Sequence, residues 1–180
     1  MKKLSVSVFL VLLYAGLANP VMAEDPPSPP ANTPARVPAA KGPSLALAVE
    51  AAKVAVEACA ADGSQTVAAS VVDSAGVLKA LLAADGTSPR GVSSSTVKAQ
   101  TALQYKKSTS ALFEQAKTDK AFADAVAANP NINGRPGGIL IKVGDEIIGA
   151  IGVGGGRTDE PCAIAGLQKI QAGSHNDVQR

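Results

Sequence analysis

GAIGVGGGRTDE, Gly149 to Glu160, carries the end of the most hydrophobic strand through a three-glycine turn into the last helix. Glycines between a strand and a helix let backbone N–H groups approach an anion, as nucleotide-binding loops do. The acidic pair that follows argues against phosphate. Asp159 and Glu160 stand in the first turn of the coming helix, where they compensate its positive end and repel a polyphosphate. The chain also has neither a Walker-type GKS or GKT nor a GxGxxG. The glycines are therefore read as positions of positive φ and close packing, with Thr158 or Asp159 as N-cap and Pro161 tolerated in the first turn. This corner is the joint of one small α/β domain.

Upstream of it, Ile139 to Val143 and Glu146 to Val153 pair as a hairpin across Gly144-Asp145. The segment before them, NPNINGRPGG from Asn129 to Gly138, is the longest irregular stretch, and its Asn, Gly and Pro content makes it a loop. Loops of that length often carry binding groups. Short helices are expected around Ser110 to Ala116 and Thr118 to Ala128. A longer one follows the serine cluster Ser93-Ser94-Ser95 and runs to about Lys107. Thr66 to Val72 and Val77 to Ala83 form a first hairpin across Asp73-Ser74-Ala75-Gly76, where Asp73 is a turn former.

Ser44 to about Ala61 is an alanine-rich helix with Leu45, Val49, Ala52, Val56 and Cys59 on one face, ended by Asp62-Gly63. The last helix covers Asp159 to about Gln171, with Gly173 to Arg180 as a frayed tail. The order is α-β-β-α-α-α-β-β-α. Hairpins in place of βαβ crossovers give an α+β domain, an antiparallel sheet flanked by helices, over residues 44–172.

The N-terminus reads as an export signal. Lys2 and Lys3 precede an apolar run from Val6 to Leu17, and Val21-Met22-Ala23 supplies small residues for cleavage after Ala23. The run is shorter than the ~20 residues of a spanning helix, and no later stretch could span a bilayer. The mature chain is thus expected in the periplasm or the medium. Glu24 to Pro43 holds seven prolines and reads as a disordered or semi-rigid tether.

Of the 17 Lys and Arg, Lys2 and Lys3 leave with the signal, so the mature chain balances 15 against 15 acids. With its charges balanced and only 3% aromatics even in the full sequence, the chain has no electrostatic footprint for nucleic acid.

VVDSAGVL (Val71 to Leu78), KAQTAL (Lys98 to Leu103), the ST…L of Ser108 to Leu112, GRPGGILI (Gly134 to Ile141), IIGAIGVGGG (Ile147 to Gly156) and DEPCAIAGL (Asp159 to Leu167) follow one another from about Leu45 to Ile170. Together they resemble the successive motifs of the GlcG/HbpS heme-binding family, formerly a domain of unknown function. The resemblance implies a profilin-like α/β fold and assembly into homo-oligomers. In some members it also implies heme binding or slow heme degradation at subunit contacts, and related domains occur in corrinoid-handling proteins. One departure stands out: the family commonly has a serine and a longer insertion at the glycine turn, whereas here GGG leads almost directly into Arg157-Thr158. A ligand contact made from that loop would be lost in this chain.

Heme iron takes an axial His, Cys, Met or Tyr. After signal removal the chain offers His175, Tyr105, Cys59 and Cys162. His175 falls in the expected tail, where a surface histidine is the ordinary reading. With heme as the ligand, the cations Lys98, Arg135 and Arg157 are the candidates to receive propionates by residue type, and Tyr105 is the residue that could approach iron. Heme is the expected cofactor, with a cobalamin-type corrinoid as the alternative.

Cys59 and Cys162 lie in an exported chain, at the end of the first helix and the start of the last. An internal disulfide and two small buried hydrophobes remain equally open. No residue is assigned a catalytic role: there is no GxSxG, no CxxC and no clustered metal ligands. The expected function is an exported tetrapyrrole carrier or sensor. A heme-degrading or small-substrate enzyme and a non-catalytic interaction module are the alternatives.

Overall fold

The computed structural model describes residues 39–178. Residues 1–38, on which the expected signal segment 1–23 and most of the proline-rich stretch fall, lie outside them. Nine elements follow in order: α1 (Leu45–Ala61), β1 (Ala68–Asp73), β2 (Leu78–Ala83), α2 (Pro89–Tyr105), α3 (Thr109–Thr118), α4 (Lys120–Ala128), β3 (Gly138–Val143), β4 (Glu146–Gly154) and α5 (Asp159–Val178). Over the described residues the class is mixed α/β, five helices on a four-stranded antiparallel sheet of order β2-β1-β4-β3.

Both hairpins form, and the two central strands join them in register, from Ala68 opposite Gly154 to Asp73 opposite Gly149. Asp73 closes the first turn through Oδ1, which accepts from the backbone N–H of Ala75 (2.9 Å) and Val77 (3.0 Å).

The period of two divides the sheet's side chains between two layers. Ala69 and Val71 of β1, Ile141 of β3, and Ile151 and Val153 of β4 share a core with Ala48, Ala51, Ala52 and Ala55 of α1 and with Ala163 and Ile170 of α5. On the other face, Val72 and Ala150 meet Ala99 and Ala102 of α2.

The small residues of β4 serve this second interface. A Cβ on Gly152 would lie 2.6 Å from the Ala99 nitrogen and closer still to the Ser95 carbonyl oxygen. On Gly154 it would lie 2.7 Å from the Gly91 carbonyl oxygen. The strand's glycines thus bring a helix backbone onto a strand backbone. Of the three turn glycines only Gly155 has a positive φ, +111°.

Three boundaries differ from the sequence reading. Helix α2 begins at Pro89, before the serine cluster, because Ser88 caps it by accepting from Gly91 N–H at 3.1 Å and proline suits the first helical position. The serines are therefore inside the helix, where Ser95 Oγ donates to the Val92 carbonyl and meets Ser70 Oγ at 2.7 Å under the sheet. Helix α4 is capped by Asp119, which accepts from Phe122 N–H at 2.9 Å. Helix α5 does not stop near Gln171 but continues to Val178. Gly173 is no terminator: a Cβ there would lie 2.6 Å from Leu47 Cδ1, so this glycine lets α5 approach α1.

Cys59 and Cys162 form a disulfide between the end of α1 and the start of α5, spanning 103 positions of sequence. The end of the proline-rich stretch is also tied down. Lys41 exchanges backbone bonds with Ser74, donating N–H to its Oγ and accepting its N–H, both at 2.8 Å. Its Nζ pairs with Glu146 at 2.6 Å. Among the described residues, no helix is long and apolar enough to cross a membrane.

Candidate ligand grooves around Arg135

The C-terminal end of β4, the first turn of α5, the first half of α2 and the loop before β3 meet at one corner. Its keystone is a buried ion pair. Lys98 is 3% exposed and Asp159 9%. Lys98 Nζ lies 2.5 Å from Asp159 Oδ2 and donates to the Val153 carbonyl at 3.1 Å. Asp159 Oδ1 accepts from Gly156 N–H at 2.8 Å. Gly137, at φ +125°, passes so close that a Cβ would stand 2.8 Å from Asp159 Cβ and 3.1 Å from Lys98 Nζ.

The glycine turn is locked from its other side by Gln65, a buried residue with no sequence pattern to mark it. Its Oε1 accepts from Arg157 N–H (2.6 Å) and Thr158 N–H (3.2 Å), and its Nε2 donates to Thr158 Oγ1 (2.8 Å) and Asp62 Oδ2 (3.0 Å). The backbone donors of residues 156, 157 and 158 are thus all occupied by protein oxygens. Those three N–H groups are not available to an anion, which is the physical ground for reading this side of the turn as structural.

The loop before β3 is held onto α2 through Asn133. Its backbone N–H donates to Thr101 Oγ1 (3.0 Å), its Nδ2 to Ser94 Oγ (2.9 Å), and its Oδ1 accepts from Arg135 N–H (3.1 Å). This fixes the backbone of Arg135 while its side chain stays exposed.

Three grooves converge on Arg135. One, of about 650 Å³, has polar walls that include Arg90, Ser94, Asn133 and Gly156. A second, of about 570 Å³, runs past Arg157, Glu160 and Phe113. The third, of about 450 Å³, lies between α3 and α4 and is lined by Leu112, Phe113, Phe122, Val126 and Ile132. The Lys98–Asp159 pair borders both the first and the second.

The structure therefore brings Lys98, Arg135 and Arg157 to one corner, but with different freedom. Arg135 and Arg157 are exposed, whereas Lys98 is committed to Asp159. Tyr105 lines none of these grooves; half-buried, it stacks edge-on against Phe122 with ring centroids 5.6 Å apart. The backbone of His175 lies in α5, and its side chain is outside the described residues. Both cysteines are consumed by the disulfide. Arg90 was not legible as a site residue, because only the early start of α2 carries it to the groove.

An α/β sheet domain with a cationic corner at the helix-facing end of its central strand is the class these observations define. The chain belongs to the HbpS-like family: the family model described as "Haem degrading protein HbpS-like" matches residues 44–168. No curated protein matches it in sequence.

Among solved structures, a double mutant of Streptomyces reticuli HbpS is similar at 29% identity and a TM-score of 0.65, over 80% of this chain and 97% of that one. Klebsiella pneumoniae protein ORFY is similar at 25% identity and a TM-score of 0.67, over 76% and 96%. The PduOC:heme complex shares the fold at 21% identity and a TM-score of 0.61, over 67% and 89%.

Proposed function

We propose that the protein binds a tetrapyrrole, heme being the one its family points to, at the corner around Arg135, and that it works as an exported carrier or sensor. The observation that carries this reading is the meeting of polar and apolar grooves at one exposed guanidinium. A heme is an apolar plate with two carboxylates on one edge, and such a corner offers both kinds of surface. Guanidinium groups bind carboxylates in a planar, two-bonded fork, and Arg90, Arg135 and Arg157 are the cations free to do so. Lys98 supports them from beneath by holding Asp159 and the glycine turn. The groove volumes fall within the ~300–1,000 Å³ of small-molecule sites. Membership of the HbpS-like family and the heme named in the PduOC complex agree with this reading.

The export half of the proposal rests on Lys2-Lys3, the apolar run and Val21-Met22-Ala23. Self-association into a homo-oligomer belongs to the same reading. The sheet has open edges at β2 and β3, and exposed Leu78 and Val143 lie on them.

Titration of Glu24 to Arg180 with heme, followed at the Soret band and by size-exclusion mass, tests the proposal. Saturable binding at one site per chain or per subunit contact is expected. A spectrum matching heme with a non-binding control protein would remove it. The description of the family model favours a second reading, oxidative degradation of the bound heme. Open-chain product formed with peroxide faster than from free heme would select that reading over the carrier.

A further inference from the structure

Helix α4 is unusual among the five helices. It has no buried residue, although Phe122, Ala123 and Val126 form an apolar stripe along it. The stripe is half-covered and looks onto the groove shared with α3, whose Phe113 is 41% exposed. An apolar helix face left open in this way forgoes burial worth about 25 cal/mol per Å², so a ligand that fills the groove gains that burial. At the mouth of the same groove stands Arg135. Strong iron ligands are not part of this arrangement: among the described residues, the walls of the three grooves include no His, Cys, Met or Tyr.

We infer that the α3–α4 groove seats the edge of the macrocycle, that Arg135 takes a propionate at its mouth, and that recognition therefore runs through the porphyrin's body and carboxylates and not through its metal. The inference rests on the tetrapyrrole reading above and narrows its ligand class: any porphyrin carrying free carboxylates is a ligand, with or without iron. A flat aromatic edge stacks on Phe113 and Phe122 as it would on any aromatic pair. Its carboxylate is neutralised by a guanidinium whose backbone is already fixed by Asn133, so little ordering is lost on binding.

The test compares heme with metal-free protoporphyrin IX on the mature chain, by Soret absorbance for the first and porphyrin fluorescence for the second. The two dissociation constants are expected to agree within about threefold, and Arg135→Ala should weaken both alike by about tenfold. Val126→Asp, which puts a carboxylate in the groove, should do the same, with far-UV circular dichroism checking that α4 is retained. His175→Ala should change neither affinity. If heme binds saturably while the metal-free porphyrin is weaker by more than about tenfold, or if His175→Ala lowers heme affinity alone, iron coordination dominates and the inference falls while the heme function stands. If neither ligand binds, both fall.

Discussion

Replacing Lys98 by Met tests the keystone of the corner. The ammonium and carboxylate are both buried, 2.5 Å apart, with further bonds to the Val153 carbonyl and from Gly156 N–H. Removing one member of such a pair leaves the other charge largely buried without its partner, and this costs about 3–5 kcal/mol. With a urea m-value of roughly 2 kcal/mol/M for a domain of this size, the unfolding midpoint should fall by roughly 2 M. Asp159→Asn should cost a similar amount, since it strands Lys98. The double variant Lys98→Met with Asp159→Asn should lose about 2 kcal/mol less than the two single losses added together, because no lone charge remains and the amide oxygen introduced by Asp159→Asn still accepts from Gly156 N–H. Urea unfolding of the oxidised protein, followed by circular dichroism, reads all four members of the cycle. A Lys98→Met stability within about 0.5 kcal/mol of wild type, or strict additivity in the double variant, would refute the keystone argument.

Reduction of Cys59–Cys162 removes a link across 103 positions and should cost about 4–5 kcal/mol, seen as a lower melting temperature in the presence of a thiol reductant. Gly152→Ala forces a Cβ against the Ser95 carbonyl and the Ala99 nitrogen, so α2 must lift from β4; a loss of about 2 kcal/mol or more is expected by denaturant titration. Gln65→Leu leaves Arg157 and Thr158 N–H without their acceptor and should cost about 2 kcal/mol in the same assay, with faster amide exchange at those two positions.

The order of the nine elements was readable because each strand and helix carries its own period and its own turn residues: Asp73 and Gly76 for one hairpin, Gly144-Asp145 for the other. What escaped the local pattern was settled by partners far along the chain. Gly173 looks like a stop until Leu47 of α1 is placed beside it. Ser88-Pro89 stands before any apolar helical period, although the two residues are a cap and a first helical position. At the site, the residue types of Arg135 and Arg157 pointed to anion binding, and both are exposed on the grooves. Lys98 had the same type but a different fate, because its partner Asp159 lies 61 positions away and sequence spacing does not show it. Gln65 carried no signal: a lone glutamine after a helix is ordinary until the turn it holds has folded against it.

The claim that the Arg135 corner is the ligand site is tested most directly by one comparison, the Soret titration of wild type against Arg135→Glu. Arg135 is exposed and its side chain holds no part of the fold, so the variant should melt with the wild type. The account predicts saturable heme binding by the wild type and a loss of affinity of more than about tenfold in the variant, as a carboxylate replaces the guanidinium facing a propionate. Equal affinities in the two proteins would contradict it and place the heme elsewhere on the chain.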